Sequence, residues 1–487
     1  MLFLRKILFY LFILVYIVLC PLTVLYALGY LFRPGVEQGI VKTGLVYLST
    51  APPGASVYIG KRRYNRKTPA ILRDLLPGNY PIKLFLKDRE LWEQIVPVEA
   101  EKATALEKIL LLPKELKREE LLSESFEDLI PIEGDHFFLL TKGPKVGDIF
   151  VCNWKDKKSW PFVSDDFPYR GAKVLSFFTR KDSPFLFLQV KFQESEKYLW
   201  ADLRGKGSEV EDLTALFPER PLRIEWDFRE RKHVFAFYDG YLNQMNAVSK
   251  SVHPRFLENI RGFGLFNKWI YFLKDNAFQR VDYEGKNKES LFDDSLLIQS
   301  LFGGKGFFDI KILSKDLILF WGEKGELLAS RLPYRFIEDG VMGFEFYPPN
   351  EQVLLWQKNK LGILDFSREP KKDEVFEKGP KLVWIYKQAE KIEQAFWVFG
   401  GSHILFRDDD KVYLIELETY GKPILRRLLQ VKKKSSVFYS EESGKLYYLE
   451  SATGHLSSVE ILPRREILLL PFPERKEEKK RSEIQEL

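Results

Sequence analysis

HVFAFYDGYLNQMNAV, residues 233–248, consists of two apolar runs separated by a short polar turn around Asp239-Gly240. Aromatic and β-branched residues in short runs, bounded by turn-forming residues, read as a strand, a tight turn and a returning strand. The same pattern occurs seven more times. FFLLTKGPKVGDIFVCNW starts at Phe137, FLFLQVKFQESEKYLWADL at Phe185, WIYFLKDNAFQRVDY at Trp269 and LILFWGEKGELLASRL at Leu317. VLLWQKNKLGILDFS follows at Val353, HILFRDDDKVYLIELE at His403 and SVFYSEESGKLYYLES at Ser436.

The eight starts give a mean spacing of about 43 residues, within the ~40–50 expected of propeller blades. A lone hairpin cannot bury both faces, whereas radial repetition of four-stranded sheets buries the faces and protects the edges. The sequence therefore predicts a mainly β chain with a seven- or eight-bladed β-propeller-like domain over residues 132–471. Two tandem β-sandwiches are the alternative. The likeness rests on repeat pattern only, since Trp226-Asp227 and Gly454-His455 each occur once and form no repeated motif.

Composition supports sheet: 40 Phe and 22 Tyr suit pleated, half-buried surfaces. A net charge of +6 on a chain with 75 basic and 69 acidic residues describes a mixed surface and gives no signal for nucleic acid. Cys20 and Cys152 stand far apart, which argues against a disulfide or a thiolate metal site.

Residues 7–32, ILFYLFILVYIVLCPLTVLYALGYLF, contain no charge. As a helix they reach about 39 Å at 1.5 Å per residue, more than the ~30 Å hydrocarbon core, so they can span with tilt or with a kink at Pro21. The apolar run is longer than that of a cleaved signal peptide. Ile7–Phe32 is thus predicted to be a single membrane span, with residues 1–6 as a short cytoplasmic tail, 33–43 as a tether and the bulk of the chain outside the cytoplasm. Arg5 and Lys6 before the span set against Arg33 and Lys42 after it leave the charge rule nearly balanced.

Residues 44–112 alternate apolar and polar positions between the turns Pro52-Pro53-Gly54 and Pro77-Gly78-Asn79, the pattern of a small antiparallel sheet. The stretch resembles the PEGA domain family through Ser49, Pro53, Gly54, Ala55, Val57, Tyr58, Ile59, Thr68, Pro69, Leu75, Pro77, Gly78 and Tyr80. It departs in having Pro53 at a usually acidic position and Gly60 directly after Ile59. The resemblance implies a small β-sandwich-like module, typical of membrane-anchored or surface proteins outside the cytoplasm, and it brings no catalytic residues. Lys61, Arg62, Arg63, Arg66 and Lys67 fall in one seven-residue loop of this module. They are candidates for contact with anionic headgroups or envelope polymers, although a solvated hairpin tip also accounts for them.

Residues 113–131, PKELKREELLSESFEDLIP, break the strand rhythm and read as a charge-rich, weakly helical linker. Residues 472–487 read as a charged disordered tail. The sequence carries no recognisable catalytic constellation, metal site or cofactor motif. His136, His233, His253, His403 and His455 are scattered, and Asp408-Asp409-Asp410, Asp165-Asp166 and Asp293-Asp294 fall where exposed turns are expected. Gly303-Gly304-Lys305-Gly306 lacks phosphate-loop spacing, and Gly262-x-Gly264 lacks a third glycine.

The expectation is a membrane-anchored, extracytoplasmic binding or scaffold protein, not an enzyme. Its partners would be the membrane, through Ile7–Phe32, and an envelope protein or polysaccharide. A structural envelope or surface-layer component and a propeller hydrolase acting on envelope polymers are the alternatives.

Overall fold

The computed structural model describes residues 2–27, 30–32, 40–132, 137–180, 183–203, 209–227, 233–274, 277–292, 308–331, 334–367, 380–417 and 423–462. The expected tail, His136, Asp293-Asp294 and Gly303–Gly306 lie outside these residues.

From residue 118 onward the described residues form eight four-stranded antiparallel sheets. Blades 1 to 7 cover residues 128–161, 173–212, 223–258, 260–292, 308–338, 343–386 and 392–430, each in plain meander order. Blade 8 takes Phe438–Ser440, Lys445–Leu449 and His455–Glu460 from the end of the chain. Its fourth strand, Arg118–Ser125, comes from far upstream and pairs with His455–Glu460.

The quoted hairpin forms the two middle strands of blade 3, His233–Phe237 and Tyr241–Asn246. Its turn closes with Tyr238 N–H on Tyr241 C=O at 2.9 Å, and Gly240 takes a φ of +81° that disfavours a side chain. The second strand of each blade is buried on both faces along most of its length, which explains its nearly unbroken apolar run; all of His403–Asp408 is buried.

Apolar cores link each blade to the next. Leu139 and Leu188 share the core between blades 1 and 2. Phe187 meets Trp226 between blades 2 and 3 at 5.5 Å between ring centres, and Phe235 meets Tyr283 between blades 3 and 4 at 5.1 Å. Phe278 meets Phe320 (5.4 Å) between blades 4 and 5, Leu319 and Val353 share the next core, and Tyr347 meets Trp397 (5.4 Å) between blades 6 and 7. Leu405 packs with Tyr448 between blades 7 and 8, and Phe138 meets Tyr447 (5.8 Å) where blade 8 returns to blade 1. Each blade is an open sheet, and the ring closes through these cores. Every such side chain contributes about 1.5–3 kcal/mol on burial. The chain is therefore an eight-bladed β-propeller in this region, and the tandem-sandwich alternative falls.

The closing strand corrects the linker expectation. Arg118–Ser125 and Asp128–Pro131 are both strands, with no helix between them. The first is an outer strand, so charged residues face water while Leu121 and Leu122 pack on the core between blades 8 and 1. Two register shifts, at Glu120/Leu122 and Leu122/Ser125, break the alternation that would have marked it as a strand.

The small module has a three-stranded sheet, with Gly44–Ala51 between Ala70–Leu75 and Ala103–Leu110, and a four-stranded sheet formed by Arg62–Lys67, Ser56–Ile59, Gly78–Phe85 and Trp92–Val98. The two sheets share one core, with Leu48, Val57, Leu84, Trp92 and Val96 fully buried or nearly so. Buried Thr68 knits its turns: its hydroxyl accepts Ala55 N–H at 2.9 Å and lies 2.6 Å from that of Thr50.

The N-terminal helix runs Leu2–Ala27 and includes one segment, Ile7–Leu25, long and apolar enough to cross a membrane. It ends before Phe32, the expected limit. Tyr30–Phe32 is instead a short strand paired with Ile40–Lys42, and residues 33–39 of the expected tether lie outside the described residues.

Candidate functional site

The first strands of the blades line the axis of the ring. Arg223–Trp226 of blade 3 carries Arg223 and Glu225, and Phe308–Ile312 of blade 5 carries Asp309 and Lys311; the alternating register puts each pair on one face. Arg180 follows the first strand of blade 2. These five charges converge. Arg180 Nη1 donates to Glu225 Oε2 at 3.2 Å and also to Trp226 C=O. Lys311 Nζ lies 3.2 Å from Glu225 and 3.3 Å from Asp309. Arg223 pairs with both carboxylates and donates to Phe263 C=O of blade 4 at 3.1 Å.

Blade 4 gives way for this bridge. A Cβ on Gly262 would collide with Phe308 C=O, and one on Gly264 with Ile310 C=O, so the two glycines let the first strands of blades 4 and 5 approach closely.

Burial works against the Glu225 carboxylate, yet Lys311, Arg223 and Arg180 more than offset it and hold Glu225 well below the usual carboxylate range. Lys311 is pushed down to about 8 by burial, partly countered by Glu225. Its side chain nonetheless remains 39% exposed. Arg261 Nη2, on the first strand of blade 4, has no hydrogen-bond partner and sits over the Phe308 ring at 5.6 Å. Chemically the group is a charge-compensated brace with cations in excess. Glu225 and Asp309 are both engaged by cations, unlike a free acid/base pair.

The other candidates divide. Among the described residues no group of three or more His, Cys, Asp or Glu could hold a metal ion. His403 is buried, with Nδ1 2.8 Å from Ser402 Oγ, and burial, then nearby Lys108, lowers its pKa to about 3. Asp165 pairs with Arg170 at the surface. Asp408 corrects the expectation of an exposed turn. It is buried at the end of its strand, and its Oδ1 accepts the N–H groups of Glu390 and Lys391 at 2.8 and 2.7 Å. Asp409 and Asp410 do form the turn, paired with Lys433 and Gln430.

The five basic residues are exposed but do not share one loop. Lys61 occupies the turn after Gly60, whereas Arg62–Lys67 is an edge strand of the small module. Register places Arg62 opposite Ile59 and Lys67 opposite Ser56, so the cations spread from one end of the module to the other.

The end bearing Lys61 and Arg62 is the one the N-terminal helix enters. Gly60 N–H bonds Pro81 C=O, Gly78 pairs with Val98, and the turn after Val98 starts Ala103–Leu110, which runs parallel to Gly44–Ala51. Lys42 joins that turn through an ion pair with Glu101 at 2.5 Å. The opposite end docks on the propeller. Ala51, Leu110 and Leu112 enter the core between blades 7 and 8, Arg426 pairs with Glu90, and Lys108 donates to Gly400 C=O at 3.0 Å. Trp92 Nε1 lies 3.1 Å from each carboxylate oxygen of buried Glu416 in blade 7.

The PEGA domain family model matches residues 43–111, so the chain carries a PEGA domain there. No curated protein sequence matches the chain. Among solved structures, the Dos1 propeller is 13% identical, with a TM-score of 0.42 over 71% of this chain and 94% of that one. Dipeptidyl peptidase 4 of Porphyromonas gingivalis is 9% identical, with a TM-score of 0.41 over 67% of this chain and 56% of that one. The β-propeller domain of Cps50 (Swd1) from Myceliophteria thermophila is 13% identical, with a TM-score of 0.34 over 60% of this chain and 99% of that one.

Proposed function

We propose that this chain is a single-pass membrane-anchored binding protein, its N-terminus inside and its PEGA domain and propeller outside the cytoplasm. The observation carrying the reading is the polarity of the PEGA domain: the apolar helix enters at one end and the propeller docks at the other. A propeller held this way presents its loops and channel to partners, the use to which rigid scaffolds with variable loops are well suited. Binding rather than catalysis is supported by the engagement of both channel carboxylates by cations. The partner class is an envelope protein or polysaccharide.

Cysteine labelling on intact cells tests the topology. Cys152 is buried and its thiol is pushed up to about 12 by burial, so it stays silent. In a Cys20→Ser background, Val248→Cys, at a position 70% exposed, is expected to react with a membrane-impermeant maleimide on intact cells. Reaction only after lysis would overturn the outward orientation.

A further inference from the structure

The basic residues of the PEGA domain lie at graded heights above the membrane if the N-terminal helix is an anchor. Tyr30 pairs with Lys42, so the exit from the helix region is held about one strand spacing, ~5 Å, from the start of the domain. Lys42 in turn is fixed to Glu101. Lys61 and Arg62 belong to this same end, about three strand spacings, ~14 Å, across the four-stranded sheet from the Val98 turn. Lys67 lies five residues beyond Arg62 along the edge strand, roughly 16 Å further toward the propeller.

We propose that Lys61 and Arg62 rest on the anionic headgroups of the bilayer that holds the helix, so that the PEGA domain stands end-on and the propeller faces away from the membrane. The inference rests on the anchor reading above. Among the described residues, Lys61, Arg62, Arg66 and Lys67 make no ion pair within the protein, so all four keep their charge free for an outside partner. Height separates them. A cation at an anionic surface gains about 1 kcal/mol, and this falls off within a Debye length of about 8 Å at physiological salt. Lys61 and Arg62 sit at the surface, whereas Arg66 and Lys67 are up to about two Debye lengths above it. An anionic polymer in solution has no such preference and would engage the whole edge strand.

The test uses the full chain in lipid nanodiscs of phosphatidylcholine, with or without a third of phosphatidylglycerol, and follows amide hydrogen exchange at residues 60–63. The expected result is several-fold slower exchange in the anionic discs alone. It should disappear in Lys61→Glu/Arg62→Glu and persist in Arg66→Glu/Lys67→Glu, which changes charge by the same amount. Equal exchange in both disc types, equal loss in both variants, or stronger protection by a soluble polyanion would overturn the proposal. Co-elution of chain and disc reports on the anchor separately. Co-elution with unchanged exchange removes only this inference, whereas failure to co-elute removes the anchor and the inference together.

Discussion

The indole N–H of Trp92 lies 3.1 Å from both carboxylate oxygens of Glu416, a residue 324 positions later in the chain. One partner belongs to the PEGA core and the other to blade 7, and both are buried. The bond thus joins the two parts where water is excluded, which argues that they move as one body.

Trp92→Phe keeps most of the apolar body and removes the donor. It should cost about 1–3 kcal/mol in urea unfolding, the usual result of leaving a buried acceptor short of a partner. With Glu416→Ala, which removes the acceptor, in a double-mutant cycle, a coupling of about 0.5–3 kcal/mol is expected. Purely additive losses would show that the contact does not join the two parts.

His403 makes stability fall in acid. Its folded pKa of about 3 lies below the ordinary 6.5, so between these values the unfolded chain takes up a proton that the folded chain refuses. The contribution is full above about pH 6.5 and is lost toward pH 3, at about 1.4 kcal/mol per pH unit. Unfolding free energies measured from pH 7 to 4 should decline less steeply in His403→Phe; identical slopes would refute the assignment.

Much of the fold is legible in the sequence because burial on both faces leaves a one-dimensional trace. All eight apolar hairpins are strand pairs, seven of them the middle strands of a blade and the last the first two strands of blade 8. The outer strand Arg118–Ser125 leaves no such trace, since half of it faces water and its register shifts twice. The channel group was missed because its members sit on blades 2, 3 and 5 and meet only after ring closure. The one local signal is opposite charge at alternate positions, Arg223-x-Glu225 and Asp309-x-Lys311, inside otherwise apolar strands. Asp408 looked like a turn residue because nothing local distinguishes it from Asp409 and Asp410.

Those three aspartates should separate on mutation. Asp408→Ala removes a buried carboxylate that accepts the N–H groups of Glu390 and Lys391, and should cost about 1–3 kcal/mol. Asp410→Ala should stay within about 0.5 kcal/mol, as exposed substitutions do. Thermal melting of the single variants distinguishes them, and equal small effects would return Asp408 to the exposed turn.

Glu225→Ala should be the most damaging single change in the channel. It leaves Arg180, Arg223 and Lys311 crowded around one remaining carboxylate, Asp309. Breaking this half-buried ion group should cost more than the ~1 kcal/mol of an exposed pair, toward the ~3–5 kcal/mol of a fully buried one. Urea unfolding of the variant checks it, and a loss under about 1 kcal/mol, the value of an exposed pair, would show that the group is solvated.

Arg118–Ser125 closes the propeller on its last strand and so places the PEGA domain and the ring in one unit. Glu120 and Ser457 are paired across that seam. Antiparallel partners stand about 4.5–5.5 Å apart at Cα, within disulfide range. Glu120→Cys with Ser457→Cys should therefore form a disulfide on mild oxidation of the native protein, seen as a mobility shift on non-reducing gels, with the melting transition retained. A control pairing Glu120→Cys with Ser249→Cys on blade 3 should form none. Failure of the first pair to cross-link unless the protein is unfolded would contradict the closed ring.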